Sequence, residues 1–400
     1  MRFLFVHQNF PGQYLHLVQW LARQPGNEVV FITQRKDVRL PGVRIICYEA
    51  LRQVHPAAHN YLRGAESHVI NGQAVARVAL KLKQSGFQPD LMVGHSGWGE
   101  ILYLRDVFDD TPLLGYFEFF YRRFPRFEQG TTPDTGPRIR TMNITNLLSL
   151  EAATAGMTPT RFQHSLYPDE FRPKIHVLHE GIDTGLVRPD PTAMFNIPDS
   201  GIRLEAGQEV MTYVARNLEP QRGFPSLMRA LPAILARRPN ARVLVVGGDE
   251  TSYGPPPPNG RTFREIMLEE VGASLDTSRV HFLGRIPYPA FLKLLQVSRA
   301  HLYLTHPFVL SWSMLEAMAS GCLVIGSDTE PVQEVIEDGV NGQLVDFFDI
   351  NAIVDKVTAA LAEPQQFAKL RQAARESVID RYDLHTRCLP AQLALLRSLT

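Results

Sequence analysis

Short runs of β-branched and aromatic residues alternate with longer helical patterns along this chain, and the alternation starts afresh halfway along. Parallel strands must be joined by crossovers, usually helices, so the pattern confines the fold to parallel sheets with helices on their faces. In the first half the strand candidates are residues 3–6, 29–33, 43–47, 91–94, 113–116 and 175–178, with helices such as 14–23 and 74–84 between them. The second half restarts at 210–215 and continues with 243–246, 280–283, 301–304 and 323–325. The stretch 185–207, with Pro189, Pro191, Pro198 and little periodic apolar character, reads as a linker.

A chain of 400 residues favours two domains over one core. The expected fold is α/β, with two doubly wound, Rossmann-like domains at residues 1–190 and 191–385. A C-terminal helix, 386–400, is expected to cross back to the first domain. Residues 254–260 hold four successive prolines and read as a surface loop, because proline lacks the amide donor.

Lys plus Arg and Asp plus Glu are equal at 41 each, which removes the broad basic footprint of a nucleic-acid binder. Any anion site must be local. Cys47, Cys322 and Cys388 show neither metal-ligand spacing nor a disulfide framework, so a cytoplasmic location is expected. The apolar run at 1–7 is too short for a signal segment, and no run approaches the roughly 20 residues that span a bilayer. Membrane contact, if any, is expected to be peripheral, at the inner face.

In open α/β sheets, ligands sit beyond the carboxyl ends of the strands. The first such loop is 7–13, where Gly12 lets a phosphate approach the backbone, or where the chain simply turns from strand to helix. Next, Arg216 and Arg222 flank a strand-to-helix junction; they can clamp a pyrophosphate, or be solvated surface arginines. The segment 306–321 opens a helix near Ser311, where unpaired amides favour phosphate. Glu316 then lies in its first turns, placed to accept ribose hydroxyls, although Ser313 and Glu316 also have capping-box spacing. His95, flanked by Gly94 and Gly97 at another strand end, is a candidate for catalysis or a structural histidine with an accessible ring.

Taken in order, these segments resemble glycosyltransferase family 4. Ala215-Arg216 followed by Arg222-Gly223 is similar to the family's phosphate clamp, and Leu315-Glu316-Ala317-Met318-Ala319-Ser320-Gly321 to its Leu-Glu-Ala-Met-Ala-x-Gly signature. His281-Phe282-Leu283-Gly284, residues 334–342, Thr158-Pro159-Thr160 and Glu180-Gly181-Ile182-Asp183 extend the likeness over nearly the whole chain.

The resemblance implies a GT-B fold and a retaining transferase that uses a nucleotide sugar, UDP before GDP, with no metal or other cofactor. It implies Arg216 and Arg222 on the diphosphate, Glu316 on the ribose, Arg285 and Ile286 at the base, Gly12 at the β-phosphate and His95 near the reacting carbon. The acceptor implied is a glycan or lipid-linked glycan of polysaccharide biosynthesis.

Two departures stand out. The family's Glu-x7-Glu motif places its first glutamate at 308, where this chain has Phe308, so backbone amides from Phe308 through Val309 and Leu310 to Ser311 must hold the donor sugar. The clamp lysine is Arg222. Residues 116–127 mix aromatics with arginines, a composition suited to an anionic acceptor or a membrane surface, with Glu118 and Arg122 as acceptor-side candidates. Rival readings are a nucleotide-sugar epimerase and an inert nucleotide-binding subunit.

Overall fold

The computed structural model describes residues 1–128 and 130–400, which form two compact units. Unit 1 comprises Met1–Gly181 and His385–Thr400; unit 2 comprises Ile182–Leu384.

Unit 1 is built on seven parallel strands: β1 (Arg2–Val6), β2 (Glu28–Thr33), β3 (Val43–Cys47), β4 (Leu91–His95), β5 (Leu113–Tyr116), β6 (Ala155–Thr158) and β7 (Ile175–Val177). Their spatial order is β3-β2-β1-β4-β5-β6-β7, so the direction of winding reverses between β1 and β4. Strands at the centre read as unbroken apolar runs because helices cover both faces. Leu4, Val6, Val30, Ile32 and Met92 pack there with Val75, Ala79 and Leu82 of the helix Arg63–Gln84. That helix begins well before the 74 expected, since its first turns carry polar residues that give no apolar stripe.

Unit 2 repeats the architecture with six parallel strands in the order β12-β11-β10-β13-β14-β15. These are β10 (Val210–Asn217), β11 (Arg242–Gly248), β12 (Val280–Gly284), β13 (Ala300–Tyr303), β14 (Leu323–Ser327) and β15 (Gln343–Val345). Winding reverses between β10 and β13. Strands β6 and β15 were not expected; both are short, and β6 is built on Ala155 and Gly156 rather than branched residues.

The expected linker is structured. β8 (Met194–Asn196) and β9 (Arg203–Glu205) pair antiparallel, and Phe195, Ile197 and Leu204 join the core of unit 2. Period-two alternation was present, but three residues per strand are too few to register. The chain enters unit 2 at Ile182, ahead of the 190 expected. The intervening residues are tied down there: Arg375 donates to the carbonyls of Thr184 and Val187, and Lys293 pairs with Asp190 at 2.9 Å. After unit 2, the helix Leu389–Leu399 belongs to unit 1 and packs on Leu15–Ala22. Residues 254–257 form no helix or strand, and Pro258–Gly260 makes one 3-10 turn.

Candidate functional site

Loops that leave a sheet where the winding reverses diverge, and the gap between them is where such sheets bind ligands. In unit 1 these loops follow β1 and β4, and they bring Gly12 and His95 to one end of the sheet. Gly12 has φ +56°, and a Cβ there would come 2.7 Å from Nε2 of His7, so only glycine fits against that ring. His7, buried, accepts the Asn9 N–H at Nδ1 (2.9 Å), which leaves Nε2 to donate to Gln13 Oε1 (2.8 Å). Gln13 in turn donates to Glu118 Oε1 at 2.9 Å.

His95 is buried rather than accessible, at 1 % exposure: its ring lies between Trp98 (centroids 4.4 Å) and Tyr116 (5.2 Å). Its Nδ1 accepts the Gly97 N–H at 2.9 Å, so the ring proton resides on Nε2, which faces Glu118 Oε2 at 3.6 Å. Gly97 is needed because a Cβ would meet the His95 ring at 2.7 Å. Burial pushes the Glu118 carboxyl up, but the facing His95, then His7 and Gln13, outweigh it and hold Glu118 below the ordinary carboxylate value. His7, Gln13, Glu118 and His95 therefore form one polar chain at the strand ends. The sequence points to Glu118, His95 and Gly12; His7 and Gln13 carry no local signature, because the carboxylate that completes their chain lies 105 positions from Gln13.

In unit 2 the reversal lies between the loops after β10 and β13. Arg216 is exposed, with no hydrogen bond or ion pair among the described residues. Arg222 is different. It is buried at 7 %, with Nη1 donating to Thr305 Oγ1 (2.8 Å) and the Val309 carbonyl (3.0 Å). Its guanidinium carbon lies 5.2 Å from the Tyr253 ring and 5.5 Å from the Phe308 ring, and these rings are 5.0 Å apart. No carboxylate pairs with Arg222 among the described residues. Gly223 (φ +72°) makes the turn possible, since a Cβ would strike Leu304 at 2.4 Å.

Glu219, fully buried, accepts the backbone N–H groups of Ser252 (2.6 Å) and Tyr253 (2.9 Å) and so fastens the start of the proline-rich loop. Neither Glu219 nor Tyr253 stood out in the sequence, because a carboxylate holding backbone amides across 33 or 34 positions leaves no local signature.

The helix Trp312–Ala319 is capped by Ser311, whose side chain accepts from Ser313 N–H at 3.3 Å, and Ser311 N–H donates to Tyr303 Oη at 2.8 Å. Glu316 is not part of a capping box. Its Oε1 accepts from the Tyr288 hydroxyl at 2.7 Å, and burial raises its carboxyl to about 7 despite that bond. Leu310 points into the core, leaving Phe308 and Val309 half-buried beside Arg222. Arg285, exposed, pairs with Glu250 at 2.5 Å and donates to Asn217 Oδ1 at 3.1 Å; Ile286 packs on the core. Among the described residues, no three His, Cys, Asp or Glu side chains gather to hold a metal.

Two parallel sheets, each with polar groups gathered where the winding reverses, define the α/β class that binds nucleotides at strand ends. The model for the glycosyl transferase family 4 group matches residues 25–187, and that for glycosyl transferases group 1 matches 199–377; the chain belongs to the GT-B glycosyltransferases. The chain is 28% identical over 248 residues to a GDP-mannose-dependent alpha-(1-6)-phosphatidylinositol monomannoside mannosyltransferase of Mycolicibacterium smegmatis, covering 60% of each. It is 29% identical to a D-inositol 3-phosphate glycosyltransferase of Nocardia farcinica over 50% of this chain and 42% of that one. The match thus spans about 60% or less of the length of these relatives. The fold matches that of HepE from Anabaena, solved with UDP and glucose, over all of both chains (TM-score 0.71, 16% identity). It also matches sucrose-phosphate synthase from Thermosynechococcus elongatus over 100% of this chain and 99% of that one (TM-score 0.72, 17% identity).

Proposed function

We propose that the protein transfers a hexose from a nucleotide-diphosphate sugar to a glycan or lipid-linked glycan, with retention and without a metal ion. The observation that carries this is Arg222. Burying an unpaired cation costs several kcal/mol, roughly, so a buried guanidinium held only by neutral oxygens and two ring faces is poised for an anion. A donor diphosphate supplies that charge, and Arg216, exposed and unpartnered, adds a second guanidinium. Both stabilise the departing diphosphate, which is work a divalent ion does elsewhere.

Glu316 accepts the ribose hydroxyls, displacing Tyr288, and the amides of 308–310 hold the sugar where the family's carboxylate is replaced by Phe308, the Ser311 N–H being engaged by Tyr303. Arg285 and Ile286 flank the base. In unit 1, Gly12 is assigned to the β-phosphate, His95 to the reacting carbon, and Glu118 and Arg122 to the acceptor. The GDP-mannose dependence in the name of the M. smegmatis relative supports guanine ahead of the uracil favoured by the sequence, and the phosphatidylinositol monomannoside in that name supports a lipid-linked acceptor and contact with a membrane surface.

The test is a melting and turnover screen with UDP, GDP, ADP and their sugars. A ligand at 100 times its Kd stabilises by ~2.7 kcal/mol, so the cognate nucleotide raises Tm by several degrees and its sugar is consumed. Flat melting curves with every nucleoside diphosphate defeat the proposal.

A further inference from the structure

The segment after β5 builds a second recess in unit 1. A cavity of about 570 Å³ opens there, lined by residues of 120–123, of 136–147 and of 168–170. This volume lies within the ~300–1,000 Å³ range of small-molecule sites.

One wall is held in place from outside itself. Gln163 Nε2 donates to the Glu118 carbonyl (2.5 Å) and Asn146 Nδ2 to that of Phe119 (2.9 Å). Asn143 bonds both the N–H (2.8 Å) and the C=O (2.9 Å) of Tyr121, and Arg122 Nε donates to the Leu166 carbonyl at 2.8 Å. Ordinary surface loops leave their backbone to water. Three buried side chains, Asn143, Asn146 and Gln163, spent on one short segment fix it as a preformed surface.

The charge on that surface is unbalanced. Arg122 anchors itself through Nε and lies 4.9 Å from the Phe120 ring, leaving its Nη groups without a partner among the described residues. Arg140, also on the lining, is exposed and makes no ion pair among the described residues. Arg123 is already paired with Glu128 at 2.7 Å, and Glu170 is the one carboxylate of the lining. Leu147, which lines the cavity, is 41% exposed, and the next residue of its helix, Leu148, is 51% exposed.

We propose that this cavity holds a phosphate-bearing polyol head group. Arg122 and Arg140 bind the phosphate, Glu170 accepts hydroxyl protons, and the exposed Leu147 and Leu148 meet the acyl chain when the head group belongs to a lipid. A neutral glycan has no use for two unpaired guanidiniums. The proposal rests on the transferase reading and names the chemical class of its acceptor.

Myo-inositol 1-phosphate is titrated calorimetrically into the full chain, and flotation compares phosphatidylcholine vesicles with an equimolar mixture of phosphatidylcholine and phosphatidylinositol. Binding of the soluble probe identifies a free head group as sufficient; binding to the mixed vesicles alone identifies the lipid as the source. In either case Arg140→Glu weakens binding about tenfold or more, the effect of a lost charge-assisted bond. Arg122→Lys, which keeps charge but lacks the planar fork, weakens it less. Unchanged binding in Arg140→Glu, or no binding of either probe to the wild type, overturns the proposal. The melting shift with GDP or UDP, read on the same samples, separates this failure from failure of the donor site.

Discussion

The Tyr288 hydroxyl donates to Glu316 Oε1 at 2.7 Å, so the carboxylate assigned to ribose already has a hydroxyl partner in the free protein. A ribose hydroxyl replaces like with like, and discrimination comes from the geometry of two hydroxyls against one. Glu316→Gln should lower GDP or UDP affinity by roughly tenfold to a hundredfold, the ~1.5–3 kcal/mol of a hydrogen bond to a charged group. It should also erase the preference for ribo- over 2′-deoxynucleotide, as measured by calorimetry. Retained preference in the variant would place the ribose elsewhere.

Glu316 and Glu100 both give a pH signature. Burial raises each carboxyl from the ordinary 4.5 to about 7; Glu100 is fully buried with the Tyr48 hydroxyl 2.5 Å away. A carboxyl that binds its proton more tightly when folded lends stability that is complete below about 4.5 and lost as pH rises through about 7. Chemical denaturation of the free protein should therefore show stability declining across that window. Glu316→Gln and Glu100→Gln should each flatten the decline, and a slope untouched by both variants contradicts the assignment.

Arg216 and Arg222 should separate binding from folding. Arg216→Ala removes an exposed, unpartnered side chain, so Tm should stay within the small range of surface substitutions while donor affinity falls about tenfold or more. Arg222→Ala leaves Thr305 Oγ1 and the Val309 carbonyl without their donor, costing about 1–3 kcal/mol as well as donor binding. Equal effects of the two on Tm would contradict the difference in burial.

Glu219→Gln replaces one acceptor of a pair that holds two backbone amides. The expected result is a loss of about 1–3 kcal/mol and faster proteolysis within residues 252–260, with a higher donor KM because Tyr253 no longer braces Arg222.

His95→Asn and Glu118→Gln should lower kcat with little change in the melting shift caused by nucleotide, since both residues belong to unit 1, whereas Arg222 and Glu316, assigned to the diphosphate and ribose, belong to unit 2. Removing divalent ions with EDTA should leave kcat intact; loss of turnover restored by magnesium would sink the metal-free proposal.

Both sheets could be read from the sequence because their strands are apolar runs flanked by glycine and helical pattern; the residues at the strand ends could be read because strand ends are where such sheets bind. What escaped reading was carried by contacts between distant positions. Glu219 meets Ser252, Tyr288 meets Glu316, and His7 reaches Glu118 through Gln13. Phe308 was legible only as a missing carboxylate, and its ring beside Arg222 became visible once Tyr253 was placed. The β8–β9 hairpin was mistaken for a linker because proline content outweighed three-residue alternation.

Unit 1 is assembled from two pieces of chain, and unit 2 occupies the interval between them. On the ribosome, synthesis therefore completes unit 2 before it delivers the helix Leu389–Leu399, whose Leu393 and Leu396 lie beside Phe3, Trp20 and Leu21. Until then the first-made sheet waits with that apolar surface open to water, so unit 1 reaches its native packing only after Leu389–Leu399 has been made.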